Sequence, residues 1–323
     1  MTSRLTQPAS PTSQAPAAVE ASAAAQPVSL WRLAHGAALS FDRTRVLAII
    51  NVTPDSFSDG GECVTPRAAC DAAIAAIDQG ADMLDIGGES TRPGASAVPA
   101  DEQIHRVVPA LRAIRDAGVS APISVDTTST AVAQAALDAG ANAVNDTSAG
   151  LGDPAMLPLV AAQGAGVILM HRPPKEGPPC DNHYSHEYTV EPDYTRTGGV
   201  VQAVVSFLRQ RIDAALLAGV APASIVVDPG LGFGKSVQQN FALLSATDAI
   251  NALGYPVLAA ASRKSFLGAV AGVATPRDRV ASSVAAAVIQ RLGGAAIFRT
   301  HDIQQTAEAL RIADATMRDN GLR

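Results

Sequence analysis

The sequence predicts a closed barrel of eight parallel strands, each followed by a helix, as a single domain over residues 29–323 behind a disordered leader at 1–28. Three observations carry that expectation. Eight short apolar runs alternate with Ala-rich amphipathic stretches along most of the chain. Hydrophobic residues make up 47% of the chain but aromatics only 4%, so the apolar mass is Ala, Val, Ile and Leu, which suits parallel strands covered by helices. The rival is an open doubly wound sheet, and the G-x-G-x-x-G turn that usually marks it does not follow the first run.

The leader is rich in Ala, Pro, Ser, Gln and Thr and nearly uncharged, so it buries too little apolar surface to offset its ordering entropy. It has no apolar stretch of the secretory type and lacks the arginines of a transit peptide. His35, beside Trp31, reads as a packing residue. Strands are expected at 46–50, 83–86, 123–125, 143–144, 167–170, 225–227, 257–261 and 296–298. Helices are expected between them, among others at 66–79, 101–117, 130–139, 194–218, 237–253 and 278–292. Thr65-Pro66, Asp153-Pro154 and Thr275-Pro276 are helix-start signals, and Gly80, Gly118, Gly140, Gly164, Gly219, Gly254 and Gly293 are stops.

Charge and cysteine usage narrow the function. The formal net charge is −6 and no basic run stands out, which argues against nucleic acid as the partner. No apolar run approaches a membrane span, so no membrane partner is expected. The odd, sparse set Cys63, Cys70 and Cys180 is not a disulfide framework and points to a reducing, cytoplasmic setting.

In such a barrel the chemistry gathers where strands end. The runs are followed or closed by Asn51, Asp85, Asp126, Asn145-Asp146, His171-Arg172, Asp228, Ser262-Arg263-Lys264, and Arg299 with His301. One such residue is an ordinary helix cap, but eight at one mouth indicate a shared site. Short carboxylates and amides (Asp126, Asn145, Asp228) suit the edge of a flat, nitrogen-rich heterocycle. Arg92, Arg263, Lys264, Arg299 and His301 suit phosphate or carboxylate. Two Gly-, Ser- and Pro-rich loops, NVTPDSFSDGG at 51–61 and GGESTRPGA at 87–95, are of the type that closes over a substrate.

These segments resemble the dihydropteroate synthases. The first signature of that family is similar to residues 47–61, and the second to DMLDIGGESTRPG at 82–94. The likeness continues through ISVDT at 123–127, Asn145-Asp146, Met170-His171, VDPGLGFGK at 227–235, SRKSFLG at 262–268 and RTHD at 299–302. The resemblance implies a (β/α)8 (TIM) barrel enzyme of folate biosynthesis. It condenses 6-hydroxymethyl-7,8-dihydropterin pyrophosphate with p-aminobenzoate, through an SN1-like loss of pyrophosphate. It also implies roles. Asp126, Asn145, Met170, Asp228, Lys264 and Arg299 would bind the pterin. Asn51, Thr91, Arg92, Arg299 and His301 would bind the pyrophosphate, with Mg2+ on Asn51. Phe57, Thr91, Pro93, Phe233 and Ser262 would bind p-aminobenzoate. Asp126, Lys264, Arg299, Asp59 and Arg92 would be the catalytic set, with Asp126 an electrostatic stabiliser. A homodimer through the last helices and sensitivity to sulfonamides are further implications. The long Pro-rich stretch after His171 departs from the family pattern. The alternatives are a methyltetrahydrofolate:corrinoid methyltransferase, which should lack the two loops, and a non-catalytic pterin-binding protein, which should have lost Asn51, Arg92 or Lys264. Two motifs are discounted. GLGFGKS at 230–236 is one residue short of a Walker A loop. Cys180, His183 and His186 lack a fourth zinc ligand.

Overall fold

The structure, a computed structural model, describes residues 28–53, 65–89, 98–173 and 193–319. The expected leader, apart from its last residue, lies outside them. An antiparallel hairpin, β1 (Leu30–Arg32) and β2 (Ala38–Ser40), comes first. Eight parallel strands follow: β3 (Arg45–Asn51), β4 (Met83–Gly87), β5 (Ile123–Asp126), β6 (Ala143–Asp146), β7 (Gly166–Met170), β8 (Ile225–Asp228), β9 (Leu258–Ala259) and β10 (Ile297–Thr300). They pair in the order β8-β7-β6-β5-β4-β3-β10-β9, and a parallel bridge between Val227 and Val257 joins the two ends. The fold is the (β/α)8 barrel that the alternation predicts.

Helices α1 (Pro66–Asp78), α2 (Ala100–Asp116), α3 (Thr130–Asp138), α4 (Met156–Gln163), α5 (Val200–Leu217), α6 (Val237–Ser245), α7 (Thr247–Asn251), α8 (Ser265–Ala271), α9 (Val280–Leu292) and α10 (Ile303–Asp319) surround the strands. Thr65 caps α1 by accepting from the Ala68 amide, and Ser236 and Gln239 form a reciprocal capping box on α6.

Some boundaries differ from expectation for local reasons. The helix expected at 194–218 begins only at Val200, because Gly198 and Gly199 take φ of 79° and 103°. The helix expected at 237–253 breaks into α6 and α7 where Thr247 turns its hydroxyl onto the Leu244 carbonyl. The strand expected at 257–261 pairs as only two residues, Leu258 and Ala259. His35 is exposed, not packed in a core, and its ring reaches the Leu137 carbonyl at 3.1 Å.

Side-chain parity along the strands organises the interior. Val46, Ala48, Ile50, Leu84, Ile86, Val125, Val144 and their equivalents face outward and pack with the helices in one cluster. Leu47, Met83, Ala143, Ile168, Val226, Leu258 and Ile297 face inward and form a second cluster with Trp31, Leu33 and Leu39. The hairpin thus plugs the N-terminal end of the barrel. Trp31 is fully buried and its indole donates to the Ser224 carbonyl at 2.9 Å. β7 meets this plug with Gly166, where a Cβ would lie 2.5 Å from Leu33 Cδ2 and 2.9 Å from the Trp31 ring.

Candidate functional site

Two residues further along several of the strands the inward side chain turns polar. Above Met83 stands Asp85, above Ala143 Asn145, above Val226 Asp228 and above Ile297 Arg299, while β5 contributes Ser124 and then Asp126. Asp126, Asn145, Met170, Asp228, Phe233, Ser262, Lys264, Arg299 and His301 line one open recess with an empty volume of about 520 Å3. Nine of the residues named from sequence therefore meet in one place. Asn51 ends β3 beside them: a Cβ on Gly87 would be 3.6 Å from both Asn51 Oδ1 and Asp126 Cβ. Phe57, Asp59, Thr91, Arg92 and Pro93 lie outside the described residues.

Asp85 is central, yet the sequence reading gives it no role. It is fully buried and accepts from Ser124 Oγ at 2.5 Å, Asn145 Nδ2 at 3.0 Å and Arg299 Nε at 2.6 Å. Arg299 Nη2 also donates to Asp126 at 2.9 Å, so two carboxylates pin one guanidinium. The signal was available in the parity, since Asp85 is the inward residue directly after Met83. Because a carboxylate only accepts, Asn145 must turn its NH2 to Asp85 and keep its carbonyl oxygen for a ligand.

The loop after β8 is held from within. Asp228 accepts from the Gly230 amide at 2.7 Å. Gly230, at φ 65°, presses so close to the His171 carbonyl that a Cβ would be 1.9 Å from its oxygen. Lys235, fully buried, donates to the carbonyls of Gly230 at 2.7 Å, Phe233 at 3.0 Å and His171 at 3.4 Å. An ammonium committed to its own loop is not a P-loop lysine, which agrees with discounting GLGFGKS. Lys264 donates to the Leu231 carbonyl, and its Nζ lies 4.6 Å from the Phe233 ring centroid. Arg263, counted with the anion-binding cations from sequence, instead pairs with Asp302.

Burial shapes the charges. Desolvation pushes the Asp126 carboxyl up to about 7 against the pull of Arg299, with Asp85, Asp146 and Glu89 adding to the rise. Desolvation also pushes Lys264 down to about 7, opposed chiefly by Asp228, and raises Asp228, opposed chiefly by Lys264. His171, packed edge-on against Phe207, is held neutral by burial and then by Lys235, at about 2. Ser262 Oγ lies 3.2 Å from His301 Nδ1 at the opposite wall.

A recess with two acceptor carboxylates and an amide oxygen on one side, and an arginine and a lysine on the other, fits a donor-rich ring carrying an anionic tail. Comparison with known proteins agrees. Residues 47–301 match the pterin binding enzyme family. The Synechocystis sp. dihydropteroate synthase is 39% identical over 85% of this chain and 91% of its own length. The chain spans only 31% of a 44% identical relative, a probable bifunctional folylpolyglutamate synthase/dihydropteroate synthase of Haloferax volcanii. The Xanthomonas albilineans dihydropteroate synthase, solved with 4-aminobenzoic acid, superimposes with a TM-score of 0.79 at 42% identity, over 88% of this chain and 98% of that one. The same synthase solved in complex with 7,8-dihydropteroate gives 0.76 at 40% identity, with the same coverage. By sequence, fold and the convergence of its barrel-mouth residues, the chain belongs to the pterin-binding enzymes and, among them, to the dihydropteroate synthases.

Proposed function

We propose that this chain condenses 6-hydroxymethyl-7,8-dihydropterin pyrophosphate with p-aminobenzoate to give 7,8-dihydropteroate and pyrophosphate. The observation that carries the reading is the polar layer of Asp126, Asn145, Asp228, Lys264 and Arg299 directly above an apolar plug. Asp126, Asp228 and the Asn145 carbonyl accept the pterin's N–H groups, and Lys264 donates to its acceptor atoms. Met170 supplies an apolar wall. Arg299 and His301 meet the pyrophosphate, and Phe233 and Ser262 the p-aminobenzoate.

In the reaction the bond from the pterin's exocyclic carbon to the pyrophosphate oxygen breaks, and pyrophosphate leaves with the electron pair. The aniline nitrogen bonds the carbon and then loses a proton. That amine is neutral near pH 7, so no strong base is required of the chain. Asp126, as the carboxylate, offsets positive charge developing on the pterin, and Arg299 offsets negative charge on the departing group.

Mg2+ fits the chemistry of the mouth. No cluster of three or more His, Cys, Asp or Glu able to hold a metal occurs among the described residues, but Asn51 offers a neutral amide oxygen there. An ion held largely by pyrophosphate and water needs little more from the protein. Bound on Asn51, it would neutralise the leaving group. A homodimer through α9 and α10 is supported by Ile289, Leu292 and Ile312, which those helices expose; sedimentation checks it. Sulfonamide sensitivity follows if the p-aminobenzoate pocket accepts the drug, and inhibition should be competitive with p-aminobenzoate. A cytoplasmic setting rests on the sparse cysteines, of which Cys70 is free and buried. No helix among the described residues is long and apolar enough to cross a membrane.

Pyrophosphate release with Mg2+ and both substrates, beside an Arg299→Ala control, tests the function. Release should need p-aminobenzoate, yield dihydropteroate and fall by about 10^3 in the variant. Tight pterin binding without turnover would favour the methyltransferase or a non-catalytic pterin binder.

A further inference from the structure

Behind the recess a crevice opens between β9 and β10 and the helices α9 and α10. Its walls include Ser283, Gln290, Thr300 and Thr306, and also Ser262, which lines the recess as well. Gln290 is 1% exposed, yet neither its Nε2 nor its Oε1 has a hydrogen-bonding partner in the protein. A buried amide orphaned at both ends is costly unless something in the crevice answers it.

Its neighbours form a hydroxyl chain. Thr306 Oγ1 lies 3.1 Å from Thr300 Oγ1, which donates to Ser262 Oγ at 3.3 Å, and Ser262 Oγ lies 3.2 Å from His301 Nδ1. Each hydroxyl has one proton to give, so the Thr300-to-Ser262 bond sets the direction of the others. Thr300 gives its proton to Ser262 and so accepts from Thr306, as it does from the Asp302 amide at 3.0 Å. Ser262 accepts from Thr300 and from the His301 amide at 3.2 Å, which leaves its own proton for His301 Nδ1. Thr306 Oγ1 then has acceptor capacity left toward the crevice.

We propose that an ordered water in this crevice links the Gln290 amide to the Thr306–Thr300–Ser262 chain. The linkage would keep neutral His301 as the Nε2–H tautomer, with a donor turned to an anion in the recess. The crevice has room for about one water, and a water that donates to Thr306 and accepts from Gln290 Nε2 answers the donor end of the amide. Gln290 is thus a positioning residue acting through Ser262 and His301. Its kinetic expression rests on the synthase reading above.

The test compares wild type with Gln290→Met, which keeps volume and removes both polar atoms, and with Thr306→Val, which breaks the chain at its other end. 15N NMR of the His301 ring should show the Nε2–H tautomer in wild type and a reduced share of it in both variants. KM for the pterin pyrophosphate, which His301 meets, should rise roughly threefold to tenfold, the worth of one neutral hydrogen bond, and KM for p-aminobenzoate should change less. Thermal stability of Gln290→Met should not increase. A higher Tm with unchanged tautomer and KM would show an amide that is merely unsatisfied, and would overturn the proposal. A tautomer shift in a chain whose wild type does not turn over would refute the synthase reading and leave the linkage standing.

Discussion

Below Ile49 the barrel interior holds Leu47, Met83, Ala143, Ile168, Val226 and Ile297 against Trp31; above Met83, Ala143, Val226 and Ile297 stand Asp85, Asn145, Asp228 and Arg299. One layer is closed by shape, the other by charge. In the lower layer each side chain is satisfied by contact, so its residues can be exchanged for others of like volume at modest cost. In the upper layer Arg299 answers both Asp85 and Asp126, and Asp85 also answers Ser124 and Asn145. Removing one partner there strands the others. Stability and chemistry are thus separated by one step of strand parity.

Three experiments press on that separation. Trp31→Ala should have the largest effect, about 3–5 kcal/mol of stability in urea unfolding, because it opens a cavity and frees the Ser224 carbonyl. Turnover per folded molecule should be unchanged, and a matching loss of kcat would show that the plug shapes the recess. Asp85→Asn comes next. It keeps the volume and leaves an oxygen for Asn145, but removes the charge that holds Arg299. We expect kcat/KM to fall about 10- to 100-fold with little change in unfolding midpoint. An unfolding shift as large as that of Trp31→Ala would make Asp85 a structural residue. The smallest effect is on pH. Asp126 becomes a carboxylate as pH rises through about 7, and Lys264 loses its charge over the same range. The kcat/KM for the pterin substrate should therefore rise and then fall, with a narrow maximum near 7 whose limbs belong to the cluster as a whole. Lys264→Arg should push the alkaline limb upward and move the acid limb less. A profile flat across neutrality would mean that these groups do not titrate in the free enzyme.

How much of this the sequence carried depended on the strength of each local pattern. The strands at 46–50 and 167–170 are long apolar runs and stand where expected. β1 and β2 are three residues each, too short for any alternation to register, so Trp31 gave no hint that it fills the barrel's end. Asp126, Asn145, Asp228 and Arg299 were visible because each closes a strand. Asp85 was counted among the mouth residues too, but its role as the acceptor that holds Arg299 and Asn145 follows only from its inward parity with Met83. The partners of Lys235 were hidden because they are backbone carbonyls brought together by the fold of their own loop and by His171.

The single bridge between Val227 and Val257 gives the barrel a seam. Elsewhere neighbouring strands share between two and five paired positions. Local opening follows the thinnest backbone pairing, so amide hydrogens along β8 and β9 should exchange with solvent sooner than those of β3 and β4. Asp228 stands on one lip of that seam, and Lys264 follows the other. A pterin held by both would act as a stitch across it, and exchange along the seam should slow on binding even where no amide touches the ligand.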